Sequence, residues 1–395
     1  MSRDRRVRIA DFSTHLSGPM ASHLLAGLGA DVVKIENTKT GDGNRGFQPL
    51  VNGHGLFHVM LNPGTRSLAI DKTSPQWGEV TRAAARWADA VIVGGRPVDA
   101  ERLGLGFETL AAENADLVYC QISGYGEAGP WRDYPAHGQQ PDALAGLVPL
   151  QWIDGMPETQ PGWRTAGSTL AGIFAALAIT SALVPMRPRS GPTKVAVSLW
   201  ASAMWWNWRD LGTYANIGEA WPDYSDLGSR YALYPTSDER AILLAPAERK
   251  FWHEFIDLLD LPESWMERGS WDASRMDFGS GPLYADERDI IAEKIRSRPL
   301  DHWSEVFSST AIPFSPLLTW VEALQAEHTQ ANGILSSTEV DGKLIHLMAS
   351  PITMVGADGR AEDRSTWPSP PSLGEHAAEV LQEFGLEGLM SRAPR

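Results

Sequence analysis

Val7-Arg-Ile-Ala-Asp-Phe12, Gly18-Pro-Met-Ala-Ser-His-Leu-Leu-Ala-Gly-Leu28 and Ala30-Asp-Val-Val-Lys-Ile-Glu36 follow one another at the start of the chain. The first and third runs are short, β-branched and almost continuously apolar. Such runs suit strands buried on both faces. The middle run is helical, and Pro19 falls in its first turn, where a missing N–H costs nothing. Strand, helix and strand in succession predict a parallel crossover. The same pattern continues with strands over 66–71, 89–93 and 117–122 and a helix over 76–87.

The fold class is therefore α/β, with a Rossmann-like parallel sheet covered by helices on both faces. No Gly-x-Gly-x-x-Gly follows the first strand, which argues against NAD. Residues 139–216 read as helical, with long apolar helices over 165–183 and 198–214. Between these lie the turn cluster 185–193 and a strand at Lys194-Val-Ala-Val. Residues 218–228 are rich in Gly, Pro, Asp and Ser and read as a linker. A second α/β pattern follows, with a strand over 240–245 and helices near 250–259, 287–295 and 300–307. The extended run 312–318 comes next. From Ile334 the tail carries two short strands and a helix within 373–384.

The chain has 395 residues, enough for two cores. A net charge of −15 argues against nucleic acid, because phosphate binding needs clustered Lys and Arg. No apolar run reaches the roughly 20 residues of a membrane span, and no leader peptide is visible, so a cytoplasmic protein is expected. The one cysteine, Cys120, excludes an internal disulfide. It sits in a strand and reads as a small core residue, and no metal site is expected. Of the 16 tryptophans, several cluster between Trp152 and Trp221. They suit either a large subunit interface or an aromatic substrate pocket, with the interface favoured.

Several blocks together resemble the family III CoA-transferases, the CaiB/BaiF family. Asp11-Phe-Ser-Thr-His-Leu-Ser-Gly-Pro19 and Leu28-Gly-Ala-Asp-Val-Val-Lys-Ile-Glu36 resemble its N-terminal signature. Leu61-Asn-Pro-Gly-Thr-Arg-Ser-Leu-Ala-Ile-Asp71, Arg96-Pro97, Ile122-Ser-Gly-Tyr-Gly126 and Ser372-Leu-Gly-Glu-His376 continue the likeness in order. The resemblance implies a large domain built from both chain ends, residues 1–217 and 330–395. It also implies a linker at 218–229, a small domain at 230–329 and two subunits threaded through each other. The implied substrates are coenzyme A or acyl-CoA and a carboxylic acid.

The resemblance also assigns roles. Its nucleophilic aspartate falls where this chain has Ser168, at the start of the helix Gly167-Ser-Thr-Leu-Ala-Gly172. A carboxylate attacking a thioester gives an energy-rich anhydride. A serine hydroxyl would give only an ester, and would need a base. The plainer reading of Ser168 is a helix cap accepting a backbone N–H. His137 matches the histidine of the α-methylacyl-CoA racemase branch, but Gly138 replaces its paired acid. Glu248 matches an acid near the site in racemase-like members and equally suits a helix first turn. Arg66, Arg96, Arg102 and His15 are implied on CoA, guanidinium being the expected phosphate ligand.

Three functions follow as expectations. One is an atypical CoA-transferase with a surrogate nucleophile. Another is a non-catalytic partner subunit of a heteromeric CoA-transferase, the chain forming either a homodimer or a heterodimer with an aspartate-bearing paralogue. The third is racemase- or lyase-like proton chemistry with His137 as base.

Overall fold

The computed structural model describes residues 5–184, 190–219, 228–271, 278–357 and 365–392. The chain divides into two compact units, Met1–Leu211 with Asn332–Arg395, and Gly212–Ala331.

The first unit is built on six parallel strands: β1 (Arg8–Asp11), β2 (Asp31–Glu36), β3 (Arg66–Ala69), β4 (Ala90–Gly94), β5 (Val118–Ser123) and β6 (Thr193–Ser198). Their spatial order is β6-β5-β4-β1-β2-β3. In register, Ile9 of β1 lies opposite both Val32 of β2 and Ala90 of β4. Because side chains alternate across a strand, each strand feeds two cores. Ala10, Val33, Val91 and Tyr119 face one side of the sheet, against Val80 and Ala84 of the helix Trp77–Trp87 and Phe384 of the tail. Ile9, Val32, Ile92 and Cys120 face the other way, against Ala21, Leu25, Ala171 and Ala175.

Those last four residues belong to α1 (Ser17–Gly27) and α2 (Gly167–Leu183). The two helices pack closely because their contact residues are small. A Cβ on Gly172 would lie 2.6 Å from the Ser17 carbonyl oxygen. Cys120 is fully buried, and desolvation pushes its thiol up to about 12, so it acts as a core residue.

The second unit has a three-stranded antiparallel sheet, Ala232–Pro235, Ala241–Leu244 and Phe314–Pro316. Its core gathers Trp252, Phe255, Ile291, Trp303 and Phe307 from three helices. Arg230 is fully buried there, with its guanidinium 4.4 Å from the Trp252 ring and 3.3 Å from Glu287.

Some expectations from the sequence are corrected. The stretch 139–216 is not helical throughout. Leu150–Ile153 and Met156–Thr159 form a hairpin around Asp154-Gly155, both at positive φ, which a hairpin turn requires. The helix expected over 198–214 is broken at Asn207 into Leu199–Trp206 and Trp208–Ile217. A strand at Ala232–Pro235 precedes the one expected at 240–245. Most of the expected linker, 220–227, and residues 185–189 of the turn cluster lie outside the described residues. No helix among the described residues is long and apolar enough to cross a membrane.

Candidate functional site

Strand β1 has β2 on one side and β4 on the other, so the chain reverses its direction of travel across the sheet there. In parallel sheets the connections at such a point diverge and leave a crevice beyond the carboxyl ends. A cleft of about 420 Å³ occupies that place. Its walls are the loop after β1, Gly94-Gly95-Arg96 after β4, and the end of β5. The loop Tyr134–Gly138 and the start of α2 complete it.

A buried charge network holds the loop after β1. Lys34 is fully buried and lies 3.3 Å from Asp11 and 2.9 Å from Asp42. Its Nζ also donates to the Ser13 carbonyl at 3.0 Å. Burial opposes its charge, but Asp11, Asp42 and Glu36 together raise its pKa above the usual lysine value. Burial likewise opposes the Asp42 carboxylate, and Lys34 with the N–H groups of Asn44 and His15 holds its pKa below normal. Asp42 accepts the His15 N–H at 2.9 Å, and the Asn44 amide donates to the His15 carbonyl. His15 therefore keeps a φ of 68°, a left-handed conformation that costs a non-glycine residue about 1 kcal/mol or more. Its ring lies above Gly43, where a Cβ would come within 2.6 Å of Nε2.

A second buried carboxylate shapes the opposite wall. Asp142 is fully buried and accepts the Ala166 N–H at 2.8 Å and the Gly167 N–H at 2.9 Å. It thereby caps α2, satisfying N–H groups that a helix start leaves open. This corrects the reading of Ser168 as the cap. Ser168 lies inside the first turn of α2, and its hydroxyl accepts no capping N–H. The side chain is 3% exposed, lines the cleft and has no hydrogen-bond partner among the described residues.

The cleft brings four of the sequence-derived residues together: Ser168, His137, His15 and Arg96. His137 is exposed, and its backbone N–H donates to Gln140 at 2.7 Å. Arg96 is bound to Asp99 at 2.6 Å. Arg102 does not line the cleft. It is exposed on the helix Pro97–Arg102 and shares Asp99 at 2.8 Å. Arg66 is also elsewhere, at the start of β3, where Asp31, Glu379 and Glu383 occupy its guanidinium. Glu248 belongs to the second unit, immediately before the helix Arg249–Leu259, and makes no side-chain cap there.

Sequence reasoning missed Asp142, Asp42, Lys34 and Asp11. A lysine inside Val32-Val-Lys-Ile-Glu36 carried a usable signal, because a charge in a buried strand needs partners. Asp142 carried none, since the N–H groups that donate to it lie over twenty residues away. No cluster of three or more metal-ligating side chains occurs among the described residues.

A parallel sheet with a cleft at its switch point defines an α/β protein of the doubly wound kind, in which ligands are taken at that place. The chain belongs to CoA-transferase family III, whose description it matches over residues 5–377. It is 28% identical over 96% of its length to 94% of a succinate–glutarate CoA-transferase from Agrobacterium fabrum. It is 23% identical over 96% of its length to 93% of the beta subunit of a succinyl-CoA–L-malate CoA-transferase from Chloroflexus aurantiacus. Among solved structures, a Brucella suis CaiB/BaiF family protein superposes with a TM-score of 0.75 at 21% identity, covering 96% of this chain and 98% of that one. CoA thioesters are the substrates of this family.

Proposed function

We propose that this chain moves coenzyme A between carboxylic acids, with acyl-CoA and free acid meeting in the Ser168 cleft. The observation that carries the reading is the gathering of Ser168, His137, His15 and Arg96 beyond the ends of β1, β4 and β5. Family membership supplies the chemistry. In this reading His15 and Arg96 receive the CoA end nearest the thioester. Arg102, whose guanidinium is largely exposed, receives the nucleotide phosphates. Arg66 is held by three carboxylates, so its proposed place near the adenine has less support. Ser168 stands in for the aspartate that the family resemblance implies.

The test mixes purified protein with succinyl-CoA and glutarate and follows glutaryl-CoA by mass spectrometry. Glutaryl-CoA formed by the wild type and strongly reduced in Arg96→Ala supports the reading. No CoA exchange with any of a panel of mono- and dicarboxylic acids overturns it.

A second reading makes the chain a non-catalytic partner subunit beside an aspartate-bearing paralogue. Ile173, Leu177, Trp205 and Trp206 are exposed on α2 and the helix Leu199–Trp206, an apolar surface a partner would cover. The beta-subunit relative agrees with such an arrangement. Co-purification with a paralogue, and exchange only in the mixture, would favour it.

The third expectation, proton abstraction by His137, has the place of His137 on the cleft in its favour. The one carboxylate lining the cleft, Asp99, is held by Arg96 and Arg102. Exchange of the acyl-CoA α-proton in heavy water, lost in His137→Ala, would revive it.

A further inference from the structure

We propose that the Ser168 cleft binds the acceptor acid as its carboxylate anion, and that this carboxylate itself attacks the acyl-CoA thioester. The inference rests on the transfer reading above and deepens it.

Among the described residues, the cleft has no free carboxylate. Asp99 is the one acidic side chain lining it, and both its oxygens are taken, by Arg96 Nε at 2.6 Å and Arg102 at 2.8 Å. Asp142, close behind α2, is fully buried and spends both oxygens on the Ala166 and Gly167 N–H groups. No described side chain in the cleft can therefore form an anhydride with the acyl group.

What the cleft offers instead suits an anion. Asp142 takes the first N–H groups of α2 and leaves those of Ser168 and Thr169, which have no intrahelical partner. α2 runs for 17 residues, so its positive end favours negative charge. A helix start alone would not define a site. Here Ser168, a residue 3% exposed, lines the same cleft, and its unpartnered hydroxyl can donate. A carboxylate in the cleft could accept from that hydroxyl.

The chemistry balances without a side-chain nucleophile. An oxygen of the acceptor R′COO⁻ attacks the carbonyl carbon of RCO–SCoA. The C–S bond breaks, and its electron pair leaves on the CoA thiolate. The mixed anhydride RCO–O–COR′ results. The thiolate then attacks the R′ carbonyl, the C–O bond on that side breaks, and RCOO⁻ departs with the bridging oxygen. The sum is RCO–SCoA plus R′COO⁻ giving R′CO–SCoA plus RCOO⁻. No proton, oxidant or further reactant is consumed. The energy-rich anhydride forms between the two acids, which avoids the low-energy ester that Ser168 would make.

Two measurements decide it. In a single turnover with protein in excess over succinyl-CoA, glutarate labelled with oxygen-18 in its carboxylates is supplied as acceptor. Direct attack places one label in the released succinate during that turnover. Label retained on the protein, with none in the first succinate released, overturns the attack step. Initial velocities should give intersecting double-reciprocal lines, as for a ternary complex, and parallel lines overturn it equally. Ser168→Ala should raise the KM for glutarate about tenfold, the size of one lost hydrogen bond, with the KM for succinyl-CoA unchanged.

Calorimetric titration with succinate alone separates this proposal from the transfer reading. Wild type should bind succinate, and Ser168→Asp, which places a like charge in the site, should not. Binding with this contrast but no CoA exchange overturns the transfer reading and the attack step while upholding the carboxylate site. Absence of binding to wild type, or equal binding to both proteins, overturns the carboxylate site.

Discussion

Replacing Asp142 by Ala tests whether the start of the Ser168 helix is held from behind. Asp142 is fully buried and accepts two backbone N–H groups, at 2.8 and 2.9 Å. Hydrogen bonds to a charged group contribute about 1.5–3 kcal/mol each. Loss of a helix cap alone costs about 0.5–2 kcal/mol. The truncation also leaves the Ala166 and Gly167 N–H groups buried near a small void. A net loss of about 3 kcal/mol is expected, between these bounds. At roughly 2 °C per kcal/mol for a large unit, the melting transition should fall by about 6 °C. Asp142→Asn should recover less than half of this. Its amide oxygen can accept one N–H, but its NH₂ must face the other. Differential scanning calorimetry at neutral pH measures all three proteins. A melting temperature for Asp142→Ala within about 1 °C of wild type would refute the capping argument. So would an Asn variant as stable as wild type, because the carboxylate's second oxygen would then be idle.

Other perturbations have signs fixed by the structure. Lys34→Met leaves Asp11 and Asp42 buried without their cation, and should cost about 3–5 kcal/mol in denaturant unfolding at pH 7. Its acid response should also invert. The depressed Asp42 pKa gives wild type a contribution present above the unfolded value, near 4, and lost as pH falls below it. In Lys34→Met the unpaired acids gain by protonation, so stability should recover on acidification toward pH 5. Burial holds the His23 pKa at about 4, against 6.5 unfolded. The unfolded state thus binds the proton first, and stability should decline from about pH 6.5 down to 4, by up to about 3 kcal/mol. His58 is depressed by burial to about 4 as well, so His23→Leu should reduce that slope without abolishing it, and an unchanged slope would remove His23 as a source. Gly172→Val places side-chain atoms where a Cβ alone would sit 2.6 Å from the Ser17 carbonyl. It should destabilise by about 1–3 kcal/mol or more through overpacking, read as a lower urea midpoint.

The parallel sheet was legible because each strand is buried on both faces, and such burial writes itself as short β-branched runs. Val32-Val-Lys-Ile-Glu36 shows both the strength and the limit of that reading. Its apolar residues announce the strand, while Lys34 and Glu36 form buried ion pairs with Asp11 of β1 and with Asp42 and Arg45, which follow the run in the chain. The hairpin at 150–159 was missed because its strands, Leu150–Ile153 and Met156–Thr159, are largely exposed and lack clean alternation. Four of the tryptophans expected in an interface are open in the single chain. Trp152, Trp205, Trp206 and Trp208 are each more than half exposed, so the sequence marked them without saying what covers them.

Local pattern alone determined the α/β class, the helix that carries Ser168 and the absence of a dinucleotide fingerprint. These depend on neighbours in sequence, where periodicity and turn chemistry act directly. The family likeness added the expectation that His15, Arg96, His137 and Ser168 serve one reaction. Only the tertiary structure put those four around one cleft and left Arg66 and Arg102 outside it. It also made Asp142 the cap of the Ser168 helix and freed the Ser168 hydroxyl to face the cleft. Which buried polar groups pair depends on contacts between residues far apart in the chain. The energy of leaving one unpaired is set by burial, and burial exists only once the sheet and its helices have closed.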